Sequence, residues 1–480
     1  MSSIKNNFLY SSILTTANYV FPFLTYPYIS RILGVDNIGV CNFVDSIINY
    51  FILFSMMGIG VIGIREIAKN KYNKEALNCA FKCLFFLNAI STLMALLILI
   101  ISIIYIPHLF QYKELMFVGV FKLIFNFLLL EWLYKGLEEF KYITLSTLVV
   151  KVIYVLAIFV FVRRSDDYPL YYLIATSTII INAVINCFYA RKFIFLSVKK
   201  ISLRKYIKPF FTLGVYNFLT SMYTSFNVAY LGFLSSDTEV GYYTTATRIF
   251  TIILALYTAF TGVLLPRMSL LVSQNKMLEF HSLLDKSVDV LLGFSIPIIV
   301  ISTIMASDII YLISGNGYEG AIIPMQLVMP LTLIIGYEQI LVIQILMPLK
   351  KDRAILINSF IGAFWGVMMN VILVPSLMSI GSSVVWLISE LIVLCCAQFF
   401  VYKFIKFAFP FRKLVRVLLY HLPLFLIVLL IKQMLQNSFL IIILVCVLTG
   451  FYVLLLQSYI LKNEIVISLL KRIKFLSLLL

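Results

Sequence analysis

Charge is scarce in this chain: Asp, Glu, Lys and Arg together make up 12% of 480 residues, and histidine occurs three times. Soluble domains carry about twice that share of charge, so a water-exposed globule is excluded. His108, His281 and His421 have no Ser, Cys or acid partner at a recognisable motif spacing, which leaves nucleophilic catalysis without a candidate. No GxxxxGK[ST] sequence occurs, so the chain is not expected to hydrolyse ATP. The seven cysteines are scattered, and only Cys79/Cys83 and Cys395/Cys396 lie close together. Cys79 and Cys83 flank a basic segment without His or acid at ligand spacing, so metal binding or a disulfide framework has little support, and no cofactor is expected. Long outer loops are missing as well, and a membrane polymerase or glycosyltransferase would need one to hold a sugar substrate.

What is present is hydrocarbon. Hydrophobic residues reach 62% with a mean hydropathy of +1.03, and about fourteen apolar runs are each long enough to span a bilayer as a helix. The runs are too long for barrel strands. The expected class is therefore an all-α polytopic membrane protein. The first run carries Pro22, Pro27, Tyr26 and Tyr28 without a small-residue cleavage site, so it reads as a retained helix.

Basic residues set the orientation. With the N-terminus inside, 30 Lys and Arg fall on inner segments, among them Arg191 to Lys208 and Lys462 to Lys474, and five fall outside. By the positive-inside rule both termini are expected in the cytoplasm. Topology also accounts for most of the net charge of +17 without a nucleic-acid partner. The stretch RKFIFLSVKKISLRKYIKP could additionally favour anionic lipid.

The chain repeats itself. A gap-free shift of 202 residues places Gly39 on Gly241, Ile47 on Ile249, Gly60 on Gly262, Val61 on Val263, Arg65 on Arg267, Asn73 on Asn275 and Lys74 on Lys276. Gly39 and Gly241 open each second span of a bundle, the Gly-Val and Arg pairs close it, and the Asn-Lys pair follows in a basic loop. The expected organisation is two pseudo-symmetric six-helix bundles, 1–205 and 206–405, followed by two further transmembrane helices and a tail over 406–480. A cavity between such bundles suits alternating access.

Ionisable groups deep in these spans are costly, so they mark either a polar cavity or an interhelical pair. The deep cations are Lys122, Lys151 and Arg248, and the deep acids are Asp45, Glu338 and Glu390. Glu131 and Asp308 lie nearer helix ends, where they can reach water. Three cations suit an anionic phosphate or diphosphate, with the acids as their partners or as sites for a coupling ion. Asp45 falls opposite Thr247 in the repeat and beside Arg248, so Asp45 and Arg248 could form a gate. Tyr216, Tyr223, Tyr230, Tyr242 and Tyr243 could face sugar rings, although interface belts and packing also explain tyrosines.

The stretches RILGVDNIGVCNFVDSIINYF, GIGVIGIREIAKNK and DIIYLISGNGYEGAIIPMQLVMP resemble the Wzx-type O-antigen and polysaccharide-unit flippases of the multidrug, oligosaccharidyl-lipid and polysaccharide exporter superfamily. The resemblance covers about residues 5 to 400, through the Leu-Gly turn after the first span, the Gly-Ile-Arg end of the second, and Gly315, Tyr318 and Ala321. It implies a fold like that of the multidrug exporters of that superfamily (MATE-like) and no enzymatic activity. It also implies a bacterial inner-membrane flippase that moves an undecaprenyl-diphosphate-linked oligosaccharide from the cytoplasmic to the periplasmic leaflet, with ion coupling. Partners would be that polyprenyl-diphosphate-linked oligosaccharide, membrane lipids and other polysaccharide-assembly membrane proteins. Flippases for lipid II, teichoic or capsule units stay open as alternatives, as does a multidrug exporter, although three deep cations disfavour the last.

Overall fold

The computed structural model describes residues 4–194, 203–435, 437–461 and 467. Part of the basic stretch Arg191 to Pro209 and the basic tail Lys462 to Lys474 lie outside the described residues. Within them the chain is helical throughout, with no strand. In order, the helices are α1 (Ile4–Met56), α2 (Ile59–Asn70), α3 (Lys74–Tyr105), α4 (Pro107–Phe110), α5 (Lys113–Phe127), α6 (Glu131–Leu137), α7 (Phe140–Phe161), α8 (Tyr168–Ala190) and α9 (Arg204–Thr224). There follow α10 (Phe226–Leu234), α11 (Asp237–Ser273), α12 (Met277–Ile304), α13 (Ala306–Ser314), α14 (Ile322–Val328), α15 (Leu331–Gln339), α16 (Asp352–Ile405), α17 (Phe411–Met434) and α18 (Ser438–Leu455). A π-helical segment, Ile340–Leu346, continues α15.

Eleven helical stretches among the described residues are long and apolar enough to cross a membrane. The expected number was about fourteen, and the difference has a physical origin in long stretches that are counted once. Leu9–Asn70 runs for 62 residues and Asp352–Ile405 for 54, whereas a bilayer core of about 30 Å takes roughly 20 helical residues. The first is interrupted at Gly34 (φ 77°) and the second at Met378 (φ 49°). Residues 204–234 are divided at Ser225 into α9, 21 residues long but too polar to count, and α10, only nine residues long.

Packing density divides the chain into two units, 1–241 and 242–480. The boundary expected from the repeat, 205/206, marks where a sequence pattern starts again, which packing does not measure. Local structure does echo the repeat. The α2/α3 break falls at residues 71–73 and the α11/α12 break at 274–276, within one residue of the same place after a shift of 202. At the first break Asn73 caps α3 by accepting from the Ala76 amide at 3.0 Å, as a short polar side chain does for an otherwise unpaired helix-start donor.

In the first unit the interior near the turn between α2 and α3 is filled by Ile62, Ile67, Phe81, Trp132 and Tyr134, all buried. Trp132 stacks on Phe81 with ring centroids 5.5 Å apart. The Tyr134 hydroxyl donates to the Asn186 carbonyl. In the second unit α17 and α18 pack on α12 and α13 through Met305, Val428, Ile431, Ile441 and Val445. Ion pairs hold both ends of that arrangement. Lys413 lies 3.2 Å from Asp285 and 3.0 Å from Asp289, and Lys432 lies 2.9 Å from Asp308. Leucine and isoleucine along α3, such as Leu97, Ile101 and Ile104, face outward. Against lipid this costs nothing, because the tails are as apolar as the side chains.

Candidate functional site

Asp45 sits on α1, and a one-turn step places Asn49 on the same face. The Asn49 amide donates to Asp45 Oδ2 at 3.0 Å. From α5, Lys122 Nζ donates to Asp45 Oδ1 at 2.5 Å and to Asn49 Oδ1 at 3.0 Å. From α8, the Tyr172 hydroxyl donates to Asp45 Oδ1 at 3.3 Å. Gly119, one turn before Lys122, lets α5 approach closely: a Cβ there would collide with the Ile48 side chain and come within 3.4 Å of the Tyr172 hydroxyl.

This is an intramembrane carboxylate with three donors and an ammonium with two acceptors. Satisfied this completely, the pair avoids most of the cost of placing charge among apolar helices. It is not sealed, because the Lys122 side chain is 13% exposed and that of Asp45 35%. An anion that reached Lys122 would compete with Asp45 for the same N–H groups.

The remaining sequence-predicted residues are placed differently. Lys151, half-buried on α7, has neither hydrogen-bond nor ion-pair partner among the described residues, although the Glu131 charge reaches it. Glu131 itself pairs with Lys135 one turn on, at 2.7 Å. Arg248 is half-buried on α11 in the second unit. In that unit Glu390, on α16, is buried and accepts from Trp386 Nε1 at 3.1 Å. Glu338, on α15, is near enough for its charge to act on Glu390. No cation among the described residues lies within ion-pair distance of either acid. Tyr223 and Tyr243 are buried in their respective units.

Three features escaped the residue-by-residue reading. Asn49 and Tyr172 are uncharged, so a search for ionisable groups passes them by, although the i, i+4 spacing of Asp45 and Asn49 is a signal. In the second unit Gln339 bonds Thr258 Oγ1 at 2.9 Å and Thr261 Oγ1 at 3.1 Å. Gln344, within the π-helical segment, is fully buried with both amide atoms unpartnered, and such helical bulges often mark functional positions.

A polar and aromatic cluster lies at the end of the first unit that carries the Gly34 break. The Tyr112 hydroxyl donates to both Asp237 oxygens, at 2.9 and 3.1 Å. A His108 ring nitrogen lies 2.8 Å from the Gly232 carbonyl, and Thr238 bonds Asp36 at 2.5 Å. The ring of Phe43 is 5.4 Å from those of His108, Tyr112 and Phe233. The repeat glycines meet here: a Cβ on Gly39 would strike the Asp237 carbonyl and reach within 3.0 Å of the Gly241 nitrogen. Glycine at both positions is what permits this backbone crossing.

Comparison with known proteins gives a consistent placement. The family described as "Polysaccharide biosynthesis protein" matches residues 4–272. A provisionally named O-antigen transporter of Escherichia coli (strain K12) is 25% identical over 348 residues, 72% of this chain and 84% of that protein. A Shigella dysenteriae protein bearing the same name is 25% identical over 256 residues, 51% of this chain and 62% of its own. In fold, the chain resembles the lipid II flippase MurJ in an inward closed conformation, with a TM-score of 0.77 at 15% identity over 95% of this chain and 99% of that one. It also resembles an inward-facing MATE transporter of the MOP superfamily, with a TM-score of 0.59 at 13% identity over 82% and 96% of the two chains. At these identities the structural likeness is one of fold.

Proposed function

The chain belongs to the polysaccharide biosynthesis protein family, and we propose that within it the chain is a flippase for a polyprenyl-diphosphate-linked oligosaccharide unit. The unit passes from the cytoplasmic to the periplasmic leaflet of a bacterial inner membrane, with both termini of the chain in the cytoplasm. The relatives named as O-antigen transporters support the sugar-unit class. The transporter fold and the lack of a catalytic constellation support translocation rather than chemistry on the sugar.

The observation that carries this reading is the half-open Asp45–Lys122 pair with Asn49 and Tyr172. Diphosphate is a multivalent acceptor, and Lys122 can exchange the Asp45 carboxylate for it without becoming unpaired. Lys151 and Arg248 extend the same preference for anions. Half-buried Glu338 and buried Glu390, with no cation in ion-pair reach among the described residues, serve as the ion-coupling acids, because such a pair is stabilised by taking up a positive ion. The closure around Tyr112, Asp237 and His108 then stands on the periplasmic side and opens to release the head group.

The test is complementation in cells that lack their own O-unit transporter, read as the ladder of surface polysaccharide on a gel. Lys122→Ala is expected to shorten or abolish the ladder at normal membrane abundance. Full-length polysaccharide from well-expressed Lys122→Ala, Lys151→Ala and Arg248→Ala would overturn the assignment.

A further inference from the structure

Where α11 passes into α12, the second unit carries a groove of about 450 Å³ that the transport reading leaves unused. Arg267 and Leu271 line it from α11, and Glu279, Ser282, Leu283 and Lys286 from α12. The α12 residues recur at three- and four-residue steps and so share one helix face. Leu278 completes the lining and is 89% exposed. Arg267 Nη2 lies 3.6 Å from Glu279 Oε2, and Lys276 Nζ lies 3.3 Å from Glu279 Oε1.

A purely structural role explains only part of this. Exposed ion pairs contribute about 0–1 kcal/mol, and they require neither a leucine lining nor more cations than acids. A site for a small anion would not need the leucines either. An amphiphile with a phosphate at one end and hydrocarbon at the other matches both halves of the lining. With the orientation taken above, the groove opens at the cytoplasmic membrane face, where basic recesses between spanning helices suit anionic headgroups. The size falls within the range of ligand sites, roughly 300–1,000 Å³.

We propose that this groove binds the phosphate headgroup of an anionic phospholipid. Arg267 and Lys286 donate to the phosphate oxygens, and an acyl chain lies along Leu271, Leu278 and Leu283. Glu279 competes with the phosphate for Arg267, so the empty groove is held by its own acid and the occupied one by lipid. A zwitterionic lipid carries its own ammonium toward Lys276 and Lys286 and is disfavoured. The site rests on the orientation adopted for the flippase but not on its substrate.

The test is native mass spectrometry of the full chain released from micelles that contain either phosphatidylglycerol or phosphatidylcholine. Phosphatidylglycerol should be retained and phosphatidylcholine not. Arg267→Gln combined with Lys286→Gln should weaken retention about thirtyfold, the worth of two basic contacts near a membrane surface. Glu279→Gln should strengthen it, an outcome that a generally basic surface would not single out. Arg353→Gln, which alters a cytoplasmic cation outside the groove, should change nothing. Equal retention of both lipids, unchanged retention in the double variant, or weaker retention in Glu279→Gln would overturn the proposal. Displacement by glycerol phosphate at equal concentration would also do so, because the leucines would then have no part in binding. None of these readouts involves polysaccharide, so failure here is distinct from failure of the flippase assignment.

Discussion

The two units of this protein handle buried charge in opposite ways. In the first, Asp45 meets Lys122 with Asn49 and Tyr172 around them, so acid and base neutralise each other inside a half-open polar cluster. In the second, Glu390 has a Trp386 donor and Glu338 for company, and no cation within ion-pair reach among the described residues. A compensated pair answers to an incoming anion, which can replace one partner. An uncompensated acid pair answers to an incoming cation. On the function proposed above, head-group recognition would fall to the first unit and ion coupling to the second, a division that a census of charges along the chain does not reveal.

The comparison is broken most directly at Lys122. Its removal leaves the Asp45 carboxylate with only neutral donors, and breaking a buried ion pair costs about 3–5 kcal/mol. Partial exposure of Asp45 reduces this to roughly 1–3 kcal/mol after solvent screening. Lys122→Ala should therefore lower the unfolding midpoint measurably and abolish surface polysaccharide. Exchanging the charges, Asp45→Lys with Lys122→Asp, should recover much of the stability but not transport, because the anion-binding group then sits on α1. Recovery of transport by the exchanged pair would show that the cluster is structural only.

The second unit should respond with the opposite sign. Glu390→Gln keeps the shape and the Trp386 hydrogen bond while removing a carboxylate that has no cation near it. Stability should hold or rise by about 1 kcal/mol, since the cost of burying charge disappears. Transport should lose its dependence on the ion gradient. A stability loss as large as that of Lys122→Ala would erase the distinction between the units.

Much of this architecture could be read before any coordinates. Apolar runs gave the membrane class, and the break at Met378 falls between the runs expected to span at about 354 to 376 and 381 to 402. The repeat of Gly39 and Gly241 marked the start of the second span in each bundle, but not the backbone crossing that the two glycines make. The partner of Asp45 could not be read. Along one helix, spacing fixes which residues share a face, and so Glu131 and Lys135 pair as i, i+4 neighbours. Between helices, pairing depends on how each helix is rotated about its axis, and apolar residues on every side of a membrane helix leave that rotation unmarked. The sequence repeat suggested Arg248 as the partner, whereas the Asp45 carboxylate is engaged by Lys122, 77 residues away. The π-helical turn around Gln344 was hidden for the same reason, since an unbroken apolar run carries no signature of an extra residue in a turn.

The smallest effects on transport are expected at the α17–α18 arrangement, where the two ends also differ. Lys432 reaches Asp308, the Ser307 hydroxyl at 2.9 Å and the Ile304 carbonyl at 3.2 Å, and the Asp308 side chain is only 11% exposed. Lys432→Ala therefore strands a nearly buried acid that retains only hydroxyl donors, Ser438 at 3.0 Å among them, and should cost about 1–2 kcal/mol. At the other end Lys413 bridges Asp285 and Asp289, and all three side chains are more than one third exposed. Water and salt already screen such a pair, so Lys413→Ala should cost no more than about 0.5 kcal/mol, a difference that vanishes as ionic strength rises toward 1 M. Thermal unfolding of both variants across a salt series separates the cases: a salt-independent loss belongs at Lys432 and a salt-erased one at Lys413. If the two curves coincide, the hairpin is held by its apolar contacts alone, and its charged ends contribute nothing to how firmly it rides on the second unit.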